Sequence, residues 1–279
     1  MTAPAVGWLT VASLVPLVMT LWYSVHDVHL LEPSAGFVGA RNYVTFLQDP
    51  DFVRAIVNTV MLIVGVLAID IVLGIALALL LASDIRGVSV LRLLVISPFF
   101  VMPTVTALLW KNLLLNPVSG VVAALLHGVG LPPIDFVGRL PLGTIVIMLS
   151  WSWLPLGTLV FLTTLQSIGQ DQFEAATLDR AGALARFRHV LLPYLFRPIA
   201  FVVLIETIAL IAVFAEIFVT TAGGPGNATT TLSFLVFAEA LLRFDIGAAA
   251  AAGIVVVLFA NLLFAAFARL AGRRLEQRQ

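Results

Sequence analysis

Six apolar stretches separated by polar connectors set the rhythm of this chain, and it is their length that identifies them. Val6 to Val25 is long enough to cross ~30 Å of hydrocarbon as a helix. No basic segment precedes it and no small-residue cleavage site closes it, so it reads as a retained helix, kinked at Pro16. Asp27 to Arg54 is a polar connector, and Ala55 to Ala82 is the second span. A tight polar turn at Asp84 to Ser89 leads past Arg92 into a third span ending about Leu115. Pro98 and Pro103 predict that this helix is bent or interrupted, which is tolerated where neighbours or water satisfy the freed carbonyls. Lys111, the only lysine, is expected to snorkel to the interface.

A second connector, Asn116 to Pro141, contains VSGVVAALLHGVGL, which predicts a short amphipathic helix on the membrane surface. The fourth span, Leu142 to about Leu165, carries Trp151 and Trp153 beside Pro155. The fifth is Ile199 to Thr221, broken off by Gly223-Gly224-Pro225-Gly226, whose structural minimum is a tight turn. Asn227 to Arg243 forms a third connector, Ile246 to Leu270 the sixth span, and Ala271 to Gln279 a basic tail. The predicted class is an all-α integral membrane protein of six transmembrane helices, one domain over residues 1–279.

One connector breaks the pattern. Between spans four and five lies EAATLDRAGALARFRHVLLP, Glu174 to Pro193, within a loop of about 166–197. Glu174, Asp179, Arg180, Arg186, Arg188 and His189 make it too charged for hydrocarbon, where each ionised group costs at least ~2.5–3.5 kcal/mol. Ala, Leu, Glu and Arg predominate, so it should be helical. Gly182, between Ala181 and Ala183, is the natural break between two short helices. Phe187 and Leu191 share a face of the second at i, i+4, and Pro193 is expected to end it. With this loop inside the cell, ten arginines lie on the cytoplasmic side and five basic residues outside, which places both termini inside.

Composition agrees with a membrane protein. Of 279 residues 61% are hydrophobic and 11% charged, with mean hydropathy +1.10, whereas about a quarter of a soluble domain is charged. Formal net charge is zero, so nothing suggests attraction to nucleic acid. Cysteine is absent, and the four histidines lack metal-ligand spacing; His26 and His29 read as a solvated loop pair. No GxxxxGK[ST] phosphate loop, HExxH or GxSxG sequence is found, so the chain is not expected to hydrolyse ATP or act as an enzyme.

The loop resembles that of permease subunits of binding-protein-dependent ATP-binding-cassette importers: EAA, three residues, Gly, nine residues, a large aliphatic, one residue, Leu-Pro. Here Glu174-Ala175-Ala176, Val190 and Leu192-Pro193 stand at the expected offsets. Arg180 occupies the glycine position, although Asp179 and Ala181 fit the usual Asp-Gly-Ala and Gly182 can take over the flexible role. The resemblance implies a type I permease fold and a coupling helix that docks in a groove of the ATPase. Glu174, Ala175, Ala176, Asp179, Arg180, Ala181, Gly182, Phe187, Leu192 and Pro193 would form it. It also implies a second homologous permease subunit, two ATPase subunits that carry ATP and Mg, and an extracytoplasmic solute-binding protein. The chain would sit in the bilayer of a bacterial cytoplasmic membrane and hold no cofactor itself. Glu216 to Leu258 is similar to the matching end of carbohydrate-importer permeases, and Glu216 to Thr221 looks most like the mannitol and sorbitol (polyol) members.

Polar and aromatic groups inside the spans are the candidates for a substrate path. They are Glu216, Asp70, Trp151, Trp153, Glu206 and Asn261. A sugar or polyol presents hydroxyls, which carboxylate and amide groups bind while aromatic faces cover the C–H surfaces. The same carboxylates Asp70, Glu206 and Glu216 would serve an ion-coupled secondary transporter, and an intramembrane enzyme would need polar groups converging at membrane depth. The loop motif favours the importer over both.

Overall fold

The computed structural model describes residues 3–32, 35–83, 86–169, 172 and 182–276. In chain order, helix α1 (Ala3–Ser24) leads to a two-stranded antiparallel ribbon, β1 (His26–Val28) and β2 (Ala35–Phe37), in which Asp27 pairs with Gly36. Then follow α2 (Arg41–Gln48), α3 (Pro50–Ala82), α4 (Val88–Ile96) and α5 (Pro103–Leu108). Two short helices, α6 (Val121–Gly128) and α7 (Phe136–Arg139), precede α8 (Pro141–Gln166). The rest is α9 (Ala183–Arg186), α10 (Leu192–Ile211), α11 (Ala215–Thr220), α12 (Leu232–Phe237) and α13 (Ile246–Glu276). Five described helices are long and apolar enough to cross a membrane. The pair 88–100 and 103–114, bent by 102° at its break, makes a sixth when it is counted as one span. Six spans are thus reached as the hydrophobic pattern predicts, and Pro98 and Pro103 flank the bend as expected. α6 falls within the predicted surface helix.

Two details differ from the sequence reading. Pro193 does not end a helix. A π-helical turn over Phe187–Leu191 runs directly into α10, and Pro193 sits in the first turn of α10. Pro193 lacks the N–H that would continue the ladder, and the wider π turn directly before it is where the helical register changes. The fifth span, in turn, does not continue to Thr221. It stops at Ile211, and Phe214, at φ −139° and ψ −51°, starts the separate helix α11. No proline marks that break, so composition alone carries no sign of it.

The chain divides into two compact units, residues 1–59 with 223–279, and residues 60–222. In the first, α13 packs along α1, α2 and α12. Its buried cluster is Phe46, Phe52, Ala55, Leu232, Leu235 and Ala252. Asn58 ties down the loop after the Gly-Gly-Pro-Gly break: Nδ2 donates to the carbonyls of Asn227 (3.0 Å) and Thr230 (2.9 Å). Thr59 Oγ1 accepts from the Leu232 amide at 3.0 Å. The histidines are less idle than a solvated loop pair. His26 stacks on Trp22, and His29 lies between Asp27 (3.3 Å) and Asp245 (3.8 Å).

The second unit is built on three helices, α3, α8 and α10. Its core contains Ile75, Ala78, Leu81, Phe161, Leu162, Leu165, Leu195 and Val202. Phe187 and Leu191 from the π turn pack into this cluster, as their shared face predicts. Small residues let the helices approach, the usual device where both partners are equally apolar. A methyl added at Gly74 would stand 3.2 Å from Phe161, and one at Gly157 would stand 3.7 Å from both the Asp70 carbonyl and Val202. Much of the remaining apolar surface faces outward, including Trp8, Val72, Leu93, Phe100 and Leu262, as lipid contact or a partner subunit requires.

Candidate transport pathway and coupling segment

The tryptophans of α8 owe their setting to Pro155. Proline has no N–H, so the carbonyl of Trp151, four residues earlier, loses its helical bond, and the helix is locally loosened between them. Trp151 meets Trp110 edge-to-face at 6.1 Å between centroids, and Trp153 meets Phe99 in the same way at 6.0 Å. Both partners come from the bent third span, Phe99 from its 3₁₀ turn and Trp110 from the π-helical turn Leu109–Leu114. The aromatic pairs therefore join α8 to each half of the broken span. Lys111, one residue on, donates to the Val219 carbonyl at 2.9 Å. Its ammonium thus closes onto α11.

Glu216 is buried, in the first turn of α11, where a carboxylate is favoured by the helix dipole. α11 packs chiefly on α5 and more lightly on α8, and Thr220 Oγ1 approaches Met148 Sδ at 3.9 Å. Trp151, Trp153 and Glu216 all belong to the second unit. Asp70 on α3 and Glu206 on α10 lie in that unit as well, each fully buried. Asn261 does not join them. It is exposed on α13 in the other unit, its amide donating to the Val257 carbonyl one turn back. The sequence reading did not single out Thr106 and Trp110. Thr106 Oγ1 and Trp110 Nε1 are both buried without a hydrogen-bond partner. Their i, i+4 spacing on a broken span was the available signal.

Of the coupling residues, Gly182, Phe187, Leu192 and Pro193 are described; Glu174, Ala175, Ala176, Asp179, Arg180 and Ala181 lie outside the described residues. Gly182 is non-helical, and its carbonyl accepts the Arg186 amide at 2.9 Å to start α9; the first of the two expected short helices lies outside the described residues. Just ahead of the undescribed stretch, Gln172 Nε2 donates to the Tyr194 hydroxyl at 2.6 Å.

In the third connector, Arg243 bridges Glu239, one helical turn back, and Asp49 at 3.4 Å. Burial raises the Glu239 carboxyl above the ordinary carboxylate range; Arg243 opposes this, while Asp49 and Asp245 add to it.

Residues 71–277 match the family described as the binding-protein-dependent transport system inner membrane component. The chain belongs to this family. The permease is 34% identical over 261 residues to a probable ABC transporter permease protein of Sinorhizobium fredii, covering 92% of this chain and 84% of that one. It is 35% identical over 241 residues to the trehalose/maltose transport system permease protein MalF of Thermococcus litoralis, covering 85% and 81%. A Yersinia enterocolitica sn-glycerol-3-phosphate permease, UgpA, is 31% identical over 258 residues, covering 91% and 87%. Among solved structures, a chain of a bacterial alginate ABC transporter in complex with a periplasmic protein superposes with TM-score 0.81, covering 98% of this chain and 93% of that one at 21% identity. The importer fold expected from the loop is therefore that of the permease. Its role is transport across the membrane as a multi-pass component, with ATP hydrolysis left to a separate subunit, and nothing supports the secondary transporter or the intramembrane enzyme. The family's description makes a solute-binding protein part of the system.

Proposed function

We propose that this permease carries a neutral sugar or sugar alcohol into a bacterial cell. The observation that carries the reading is the 35% identity with a trehalose/maltose permease over most of both chains. Relatives named for sn-glycerol 3-phosphate leave an anionic substrate as the rival. Hydroxyls can hydrogen-bond with the Glu216 carboxyl and sugar C–H faces can rest on Trp151 and Trp153, a set that suits a neutral polyhydroxyl solute. Glu216, Trp151 and Trp153 are therefore the leading path residues. Asp70 and Glu206 are sealed between helices, and Asn261 is satisfied by its own helix.

The full assembly has a second homologous permease, two ATPases binding ATP and Mg²⁺, and an extracytoplasmic solute-binding protein. The chain lies in the cytoplasmic membrane with both termini inside. Closure of the ATPase pair moves the segment that begins at Glu174, and the span bundle alternates its access in response. Ala175, Ala176, Asp179, Arg180, Ala181, Gly182, Phe187, Leu192 and Pro193 complete the docking element. Support comes from the motif spacing and from the packing of Phe187 and Leu191 into the core of the second unit. A rigid joint of this kind transmits displacement into α10.

The test is uptake by proteoliposomes holding the permease with its co-purified subunits and binding protein. Labelled trehalose, maltose, mannitol, sorbitol and sn-glycerol 3-phosphate are offered with and without ATP. ATP- and binding-protein-dependent uptake of a neutral polyhydroxyl solute is expected. Uptake confined to glycerol 3-phosphate would overturn the substrate class, and ATP-independent uptake would overturn the importer reading.

A further inference from the structure

Three helices of the second unit bring together the most costly unsatisfied groups among the described residues. Asp70 on α3 and Glu206 on α10 are each 0% exposed, and none of their four carboxylate oxygens has a hydrogen-bond partner. Ser150 on α8 is 3% exposed, and its Oγ has no hydrogen-bond partner either. Native interiors leave few such atoms, and each asks for an explanation.

The three side chains share one place. Gly157 brings α8 against both the Asp70 carbonyl and Val202, so α3, α8 and α10 meet at that level. Ser150 lies seven residues before Gly157, on the same face of α8, and Glu206 lies four residues after Val202, on the same face of α10. Cβ atoms lean towards a helix's N-terminus, which carries the Asp70 carboxyl towards the Ser150 level. Ser150 Oγ accordingly lies next to the Asp70 carboxyl without closing a well-formed hydrogen bond. Asp70 and Glu206 are close enough to act on each other electrostatically.

Among the described residues no basic side chain completes the cluster. Arg92 on α4 donates to the Leu81 carbonyl, and Lys111 is held by the Val219 carbonyl. Arg197, on the same helix as Glu206, is nine residues away, about 13 Å along the axis. Glu216 on α11 is acidic too and offers no compensation. Two bare carboxylates sealed in a helix bundle at membrane depth are not tolerated unless something positive lies with them. Five oxygens from three helices form a compact donor set for a small cation of hard character.

We infer that Asp70, Ser150 and Glu206 form an internal binding site for a monovalent cation, a proton or Na⁺, which halves the negative charge of the carboxylate pair and joins α3, α8 and α10. A proton would sit on one carboxyl and be donated to the other. Na⁺ would take oxygens from all three residues. Neither source depends on which solute the permease carries.

The experiment uses the intact importer in lipid nanodiscs at neutral pH. Infrared spectroscopy reads the carbonyl band of protonated carboxyl groups, and ²²Na⁺ binding is measured in parallel. A protonated-carboxyl band that moves on labelling Asp or Glu with ¹³C and is lost in Asp70→Asn or Glu206→Gln identifies the proton. Saturable binding of one Na⁺ per permease, lost in the same variants and weakened in Ser150→Ala, identifies sodium. Neither signal in the wild-type complex overturns the site, as does either signal persisting in both variants. Should a variant fail to assemble, the wild-type measurement with Asp-only and Glu-only ¹³C labelling decides in its place. A protonated-carboxyl band that neither label moves overturns the proton assignment, and Na⁺ binding that alters the carboxylate-stretch bands of neither label overturns the sodium assignment.

Discussion

Gly223 opens the break after the fifth span, and replacing it with alanine should be the most damaging single-methyl change in that loop. Its φ is +83°, a region where an L-residue costs roughly 1–2 kcal/mol. The new methyl would also stand 2.6 Å from Phe234 Cε1 and 2.8 Å from Thr230 Oγ1. Neither neighbour yields easily. Phe234 is buried, and the Thr230 hydroxyl already donates to the Gly223 carbonyl at 3.2 Å. Overpacking of this kind adds roughly 1–3 kcal/mol. Gly226 supplies the control, because its φ is +53° but a methyl there meets nothing within 4 Å. Gly226→Ala should therefore show the backbone cost alone. The two variants should differ by roughly 1–3 kcal/mol, a five- to 150-fold difference in local opening. Hydrogen exchange over residues 227–237 in the purified importer reads that ratio, provided opening and closing are fast relative to chemical exchange. Gly223→Ala exchanging no faster than Gly226→Ala would refute the packing argument.

Glu174→Ala should leave the permease in the membrane but reduce substrate-stimulated ATP hydrolysis several-fold, through loss of charge-assisted bonds to the ATPase; unchanged uptake would remove the coupling role. Arg180→Gly, which restores the family's glycine, should lower coupling if Arg180 pairs with an acidic patch, and unchanged coupling would show that Arg180 is only tolerated. Glu216→Gln should raise the apparent KM for uptake with assembly intact; an unchanged KM or failed assembly makes Glu216 structural. Because the Glu239 carboxyl is raised in the folded state, the folded third connector binds more protons than the unfolded one, so its stability falls as pH climbs from the ordinary carboxylate range through the raised value. Hydrogen exchange of residues 232–245 should show that slope in the wild type and a flatter one in Glu239→Gln.

What the sequence disclosed follows from what each feature depends on. Span positions depend only on runs of apolar residues, so α3, α8 and α13 lie close to where hydropathy puts them. The bend of the third span depends on two prolines, which are visible in any sequence. The break at 212–214 depends on neither, and the π turn at 187–191 even lets Pro193 stand where a helix ordinarily begins. The candidate path was legible as residue types but not as partners. Trp151 and Trp153 were named, while Trp110 and Phe99, which they meet, belong to a span whose fold back had first to be known. Asp70 and Glu206 were seen separately, and only helix packing brings them and Ser150 together.

The two interruptions are not independent. α5, the second half of the bent third span, packs mainly on α11, the second half of the broken fifth span. A helix that stops inside a membrane leaves carbonyls and N–H groups that lipid cannot satisfy, so a break is stable only where protein covers it. Pairing two breaks lets each cover the other, and Lys111 contributes a charged donor to the carbonyl of Val219 at that contact. The cost is that the half-helices are short: α5 with its π turn spans only Pro103–Leu114 and α11 has six residues, too few to hold helical form alone. Their form depends on each other and on α8, which both of them touch. A displacement entering α10 through the turn at Phe187–Leu191 therefore reaches Glu216 along the chain across the non-helical link at 212–214, besides the packing route through α8. That link is where a rigid coupling movement can become a change in the surroundings of a buried carboxylate, and it is a step that an unbroken fifth span would lack.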